Sequence, residues 1–298
     1  MGQEKEYLTK LAAFVKACYE ELNDDDFAAE IKAIVMDDIK DDIQNGKIDE
    51  IYELCIHKNL LQQANSVYSS FAIPSIKDKL ISRYIKMEKA RRENDFDDFG
   101  LRAYQQIELI VNTLAADEEV AYVVEKMLRV PYLTRSERVD DRVSSKSDGS
   151  ESQHIGNFVL INSTSAGKSK AQKMSIPLQE QYATDKVRLI VFFICFKGMI
   201  RSGKINNPNS RRQEYYKDYD EWTHYTQICS DIYTVRNRVH SGKEPSEYEV
   251  ARYEELTTNP EQTYLSFLSF LYFFIQGVNN GYPISQELYD FAVDQQAE

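Results

Sequence analysis

Ile228-Cys229-Ser230-Asp231-Ile232-Tyr233-Thr234-Val235-Arg236-Asn237-Arg238-Val239-His240-Ser241-Gly242 decides how the chain is read. Ile228, Ile232, Val235 and Val239 recur at spacings of four, three and four, the apolar rhythm of an amphipathic helix. Arg236 and His240 each follow a stripe residue, which predicts both at the edge of the buried face. One helical turn apart, they would point the same way. A fixed positive charge then stands beside a group that titrates near neutrality. Histidine moves protons and a guanidinium holds phosphate oxygens, so the pair suits phosphodiester chemistry. Gly242 can end the helix, and Pro245 prevents its continuation.

Outward from that helix the chain reads as helical throughout. Upstream, 95–114 carries Phe99, Ala103, Ile107, Ile110 and Leu114 at spacings of four, four, three and four. Residues 3–22 form an amphipathic pattern, Asp24–Asp26 cap a second helix, and Asn45-Gly46 reads as a turn. Two short helices over 48–61 and 62–71 follow, then Pro74, then a helix from Ser75 to about Glu93. Asp185–Ile200 and Pro260–Gly277 are apolar nearly all round and predict buried helices, the latter closing the bundle. Ile155–Ile161 is the strand candidate, inside a charged and Ser-rich region that predicts an insertion at about 134–181 with a β-hairpin. Arg135–Gln153 predicts mobility. The fold class is therefore all-α: a helical N-terminal module over 1–74 and a helical bundle over 75–298 with that small loop or hairpin insertion.

Composition agrees and narrows the function. Only 11 Gly and 7 Pro in 298 residues favour helices over a turn-rich β fold. A net charge of −12 argues against a surface that coats nucleic acid broadly, while leaving room for a local basic cleft. The 4 cysteines include no CxxC pair, and no histidine has metal-ligand companions at a suitable spacing, so neither disulfide framework nor metal nor other cofactor is expected. Met1–Lys10 shows no basic-then-apolar leader, and no run approaches the roughly 20 apolar residues of a bilayer span, so a cytoplasmic chain with no membrane partner is expected.

The Arg-polar dipeptide with a following His on one helix resembles the signature of the HEPN superfamily, small helical domains that include many metal-independent ribonucleases. Only three residues, Asn237, Arg238 and Val239, separate Arg236 from His240, fewer than the family's usual interval. Asp98-Phe99-Gly100-Leu101-Arg102-Ala103-Tyr104-Gln105-Gln106-Ile107-Glu108 is similar to that family's first long helix and precedes the Arg-Asn element in the family's order. The resemblance implies a HEPN-like bundle and a metal-independent endoribonuclease of a toxin, CRISPR-associated or other antiviral defence system. It implies a homodimer whose two Arg/His helices share one cleft, acting on RNA, single-stranded by expectation, with a regulatory protein or small-molecule activator as a further partner. Arg236, Asn237 and His240 would be the catalytic residues. Arg238, Lys243, Arg211, Arg212 and Lys168 are candidate RNA contacts. Arg211 and Arg212 stand beside Tyr215 and Tyr216, and Lys168 sits in a basic loop. For the last three, a solvated loop is the plainer reading. The three-residue spacing and the acidic charge suit a different function, a non-catalytic binding or dimerisation module serving as scaffold or antitoxin-like partner.

Overall fold

Helix-forming residues dominate the computed structural model, which describes 45–129, 174–196, 212–240 and 244–294, with Ala13, Lys16, Gly156, Val159 and Leu160 besides. For 45–51, 212–220, 240 and 291 the description covers backbone alone. The chain divides between Ser69 and Ser70 into two compact units. In the first, α1 (Asn45–Val67) is one continuous helix. Asn45-Gly46 therefore starts a helix instead of making a turn, and the two short helices expected over 48–71 are one. Asn45, polar and small, suits the open end of a helix as well as a turn. Cys55, Leu60 and Ala64 form its buried stripe.

In the second unit, α2 (Lys77–Arg92) ends where sequence logic places a break. Asn94 adopts a left-handed φ of 55°. The Asn94 N–H then donates to the Arg91 carbonyl at 3.2 Å, and the Asp95 N–H to the Ala90 carbonyl at 2.9 Å. This pair of reversed bonds satisfies the last carbonyls of α2. Asp95 turns at once into the cap of α3 (Phe96–Ala116), its carboxylate accepting the Asp98 N–H at 2.9 Å.

Helix α3 is the axis of the unit. Its predicted stripe, Phe99, Ala103, Ile107, Ile110 and Leu114, is buried at every position. It packs against α2, against α4 (Glu118–Met127), and against α5 (Ala183–Ile190). It also packs against α6 (Arg212–His240) and α8 (Pro260–Gly281). Helix α7 (Glu247–Thr258) bridges α6 and α8, and α9 (Gln286–Asp294) packs on α4. Phe99 meets Tyr264 of α8 edge-on, ring centroids 4.7 Å apart, and Tyr264, Phe267, Phe270 and Phe274 are buried in the bundle while Tyr272 is exposed. Helix α8 runs a turn beyond the expected Gly277. The apolar segment expected as a helix over 185–200 is α-helical only to Ile190 and continues as a π-helical turn, Val191–Cys195. It lies close against α8 because Gly277 lets it: a Cβ there would lie 2.5 Å from Cys195 Sγ.

No strand occurs among the described residues. Gly156 and Val159 are helical, and the Leu160 N–H donates to the Gly156 carbonyl at 3.0 Å, which overturns the expected strand at those positions. Val159 and Leu160 are buried, and a short apolar run pattern does not separate a buried helix from a strand. The remainder of the 134–181 insertion up to residue 173, including Arg135–Gln153, lies outside the described residues, as do most of 1–44. None of the described helices is long and apolar enough to cross a membrane.

Candidate functional site

Helix α6 carries the site, and its register is set by the stripe that buries it. Ile228, Ile232 and Val235 are all within 5% exposure, whereas Val239, at the last turn, is 40% exposed and leaves the stripe. Val235 sits directly against α3. A Cβ on Gly100 would lie 2.5 Å from Val235 Cγ1, so the missing side chain at position 100 permits the close approach of α3 and α6. That approach brings the residue after Val235 to Tyr104, one turn along α3 from Gly100.

Arg236 is half-buried, and its guanidinium carbon lies 5.4 Å from the Tyr104 ring centroid, a cation–π contact. The Tyr104 hydroxyl donates to Glu108 Oε1 at 3.2 Å. Burial and then the Glu108 carboxylate raise the Tyr104 phenol well above its usual pKa, so it stays protonated. Tyr233, one turn before Asn237, packs on the same phenol with centroids 5.8 Å apart. Arg236 Nη1 donates to Asn237 Oδ1 at 3.2 Å, and Asn237 Nδ2 donates to Glu249 Oε1 at 3.3 Å. Glu249 is fixed in turn. Its Oε2 accepts from the Ser246 backbone N–H at 2.9 Å and the Ser246 hydroxyl at 2.8 Å, a capping box that starts α7. These Ser246 bonds, with Asn237 adding to them, hold the Glu249 carboxyl below the usual glutamate range.

A second set of contacts locks α7 onto α6. Arg252 grips Asp231 through two bonds of 2.7 and 2.8 Å, and Asp231 is 6% exposed. Arg238 is exposed, with its guanidinium 5.5 Å above the Tyr253 ring. The Tyr253 hydroxyl donates to Asp97 at 2.7 Å. Burial and that bond push the Tyr253 phenol up to about 12.

Arg236 thus rests on α3 and Arg238 on α7, with Asn237 tied to the start of α7. Two residues apart on one helix, the two guanidinium groups do not face each other. Position 240 is the last helical residue, four after Arg236, but the His240 side chain lies outside the description, as do Lys243, Arg211 and Lys168 entirely. Arg212, expected in a loop, is the first residue of α6, with its side chain outside the description. His224 stands well inside α6 and is exposed. The α7 partners Glu249, Arg252 and Tyr253 escaped the sequence reading, although Ser246-Glu-Tyr-Glu249 carries a legible capping-box signal.

Beside this cluster, α5, α6 and the start of α7 enclose a pocket of about 300 Å³, with Arg188, Ser230, Tyr233 and Glu249 in its wall. Among the described residues no group of three or more His, Cys, Asp and Glu side chains could hold a metal ion. No protein-family model matches the chain, and neither does any curated protein or solved structure.

Proposed function

We propose that the protein is a metal-independent endoribonuclease of the HEPN type, with Arg236, Asn237 and His240 as its catalytic residues. The observation that carries the reading is the seat of Arg236 on Tyr104. Of the two segments that resemble the family, 98–108 and the described part of the second, 234–240, are far apart in sequence and lie on the packed helices α3 and α6. In the proposed reaction the RNA 2′-hydroxyl attacks the adjacent phosphorus and the 5′-oxygen leaves, giving a 2′,3′-cyclic phosphate. His240 assists the proton transfer. Arg236 holds the phosphate oxygens as charge builds on them. Asn237, oriented by Glu249, fixes the guanidinium from the side. The active form is a homodimer in which two such helices face one cleft.

A second reading has one observation in its favour. Arg236 is already engaged by Tyr104 and Asn237, which suits a structural strut in a non-catalytic binding or dimerisation module. Purified protein incubated in EDTA with single-stranded RNA and with DNA of the same sequence separates the two. The ribonuclease reading expects RNA cleavage with cyclic-phosphate ends, intact DNA, and loss of cleavage in His240→Ala. Intact RNA in every sample, cellular activators included, selects the non-catalytic module.

A further inference from the structure

The pocket beside the cluster lies on the helix face that leads to Asn237, with Arg236 at the edge of that face. Its α6 wall includes Thr226, Cys229, Ser230 and Tyr233. Counting by helical turns, Cys229 and Tyr233 lead to position 236, and Thr226, Ser230 and Tyr233 lead to position 237. At about 1.5 Å of rise per residue, Arg236 begins some 4–5 Å along the axis from the Tyr233 level. Glu249 joins the two places directly, because it lines the pocket and accepts from Asn237.

The walls differ in sign. Arg188, half-buried on α5, offers guanidinium donors and no acceptor. Burial lowers its pKa, but a guanidinium remains charged. Glu249, at the start of α7, is held as a carboxylate and only accepts. Its Oε2 is filled by the two Ser246 bonds, so Oε1, which takes the Asn237 amide, is the oxygen with room for a further donor. Thr226 and Thr234 commit their hydroxyl hydrogens to the Thr223 and Ser230 carbonyls at 3.1 Å each, leaving their oxygens as acceptors. The occupant must therefore show acceptors to one wall and donors to another. Its size is bounded too, since about 300 Å³ is the small end of organic ligand pockets.

Guanine meets this pattern. O6 and N7 accept on one edge, the pairing that arginine makes most often with bases. N1–H and the N2 amino group donate side by side on another edge, close enough together to converge on one carboxylate oxygen. Adenine and cytosine offer one amino donor group without that neighbour, and uracil offers a single N3–H flanked by two carbonyl oxygens. Unpaired RNA bases are read by such edge contacts when splayed into a protein pocket.

Resting on the ribonuclease reading, we propose that the pocket between α5, α6 and α7 is a guanine subsite. It takes one unpaired guanosine of the RNA next to the phosphate at Arg236, with Arg188 on the O6/N7 edge and Glu249 Oε1 on the N1/N2 edge.

The test is calorimetric binding in EDTA of GMP, AMP, CMP and UMP, and of short single-stranded RNAs with and without guanosine, to the full-length protein. Wild type, Ser230→Leu, which fills the pocket, and Glu249→Gln, which keeps a capping-box residue, are compared, with melting curves for each. GMP and the guanosine-containing RNA should bind wild type at least about tenfold more tightly than the rest, as for one hydrogen bond to a charged group. Both variants should erase that preference while remaining folded. Equal binding of all bases, or a guanine preference that survives Ser230→Leu, overturns the subsite. GMP binding that Ser230→Leu abolishes, with RNA binding untouched, overturns the RNA occupant in favour of a free nucleotide. Binding needs no cleavage, so the two readings fail separately. Pocket-dependent guanine binding without RNA breakdown upholds the subsite and sinks the ribonuclease. Breakdown without guanine preference does the reverse.

Discussion

Arg236 stands on Tyr104 with its charge only partly screened, and most of its value lies in where it is held. A cation–π contact of this exposure is worth about 0.5–1 kcal/mol, too little to govern folding. In the proposed reaction the same guanidinium faces charge building on phosphate, where removing one such group costs about 10²–10³-fold in rate. Arg236→Ala should therefore lower single-turnover RNA cleavage by at least that factor while moving the melting temperature by only a few degrees. Arg236→Lys should rescue poorly, because an ammonium lacks the planar fork. A variant that melts much lower than wild type would mark Arg236 as a structural strut. Glu249 gives a pH signature. Its folded pKa is depressed, so its stabilising contribution is complete above the ordinary glutamate value and is lost as pH falls through the folded value. Chemical denaturation at pH 7 and at pH 3 should show wild type losing more stability than Glu249→Gln over that interval. Equal losses would show that the Ser246 and Asn237 bonds to the carboxylate contribute nothing to the fold.

At the scale of elements, the junction of α3 and α6 sets the position of Arg236. Gly100→Ala places a Cβ 2.5 Å from Val235 Cγ1, deep in that junction. Overpacking of this kind costs about 1–3 kcal/mol, against about 1 kcal/mol gained from helix propensity. The net expectation is a loss of up to about 2 kcal/mol in urea unfolding, largely restored by Val235→Ala in the same chain. A gain in stability in the single variant would show that α3 and α6 are not held at this distance. The stripe of α3 was legible because five apolar positions kept helical register, and each is buried. The stripe of α6 was legible for the same reason as far as Val235. It failed at Val239, because a helix end can leave the core while its sequence rhythm continues. The strand expected at 155–161 failed at its described positions because Val159-Leu160-Ile161 is equally good core for a helix. Glu249 and Tyr253 were not legible as partners of Asn237 and Arg238. Local sequence gives the cap of α7 but not the helix against which α7 docks, a tertiary choice made by the Arg252–Asp231 pair.

Across the whole molecule, a chain of net charge −12 meets RNA unfavourably except where cations gather. Around α6, Arg236 rests on α3, Arg238 on α7, and Arg188 stands in the pocket wall on α5. RNA binding should therefore fall with salt by only a shallow slope, since few phosphates are neutralised. A steep salt dependence would point to an interface elsewhere on the chain. The proposed shared cleft also requires two copies, and light scattering at micromolar concentration should give a dimer mass; a monomer would remove the cleft. The central claim is tested most directly by the single-turnover rate of single-stranded RNA cleavage in EDTA, measured for wild type, Arg236→Ala and His240→Ala on folded protein. Loss of His240 should remove about 10²–10⁴-fold, and loss of Arg236 should cost as much or more. One deoxynucleotide at the cleaved position should stop wild type altogether. Equal rates for all three proteins, or cleavage that proceeds through the deoxynucleotide, would contradict the assignment of Arg236 and His240 as catalytic residues.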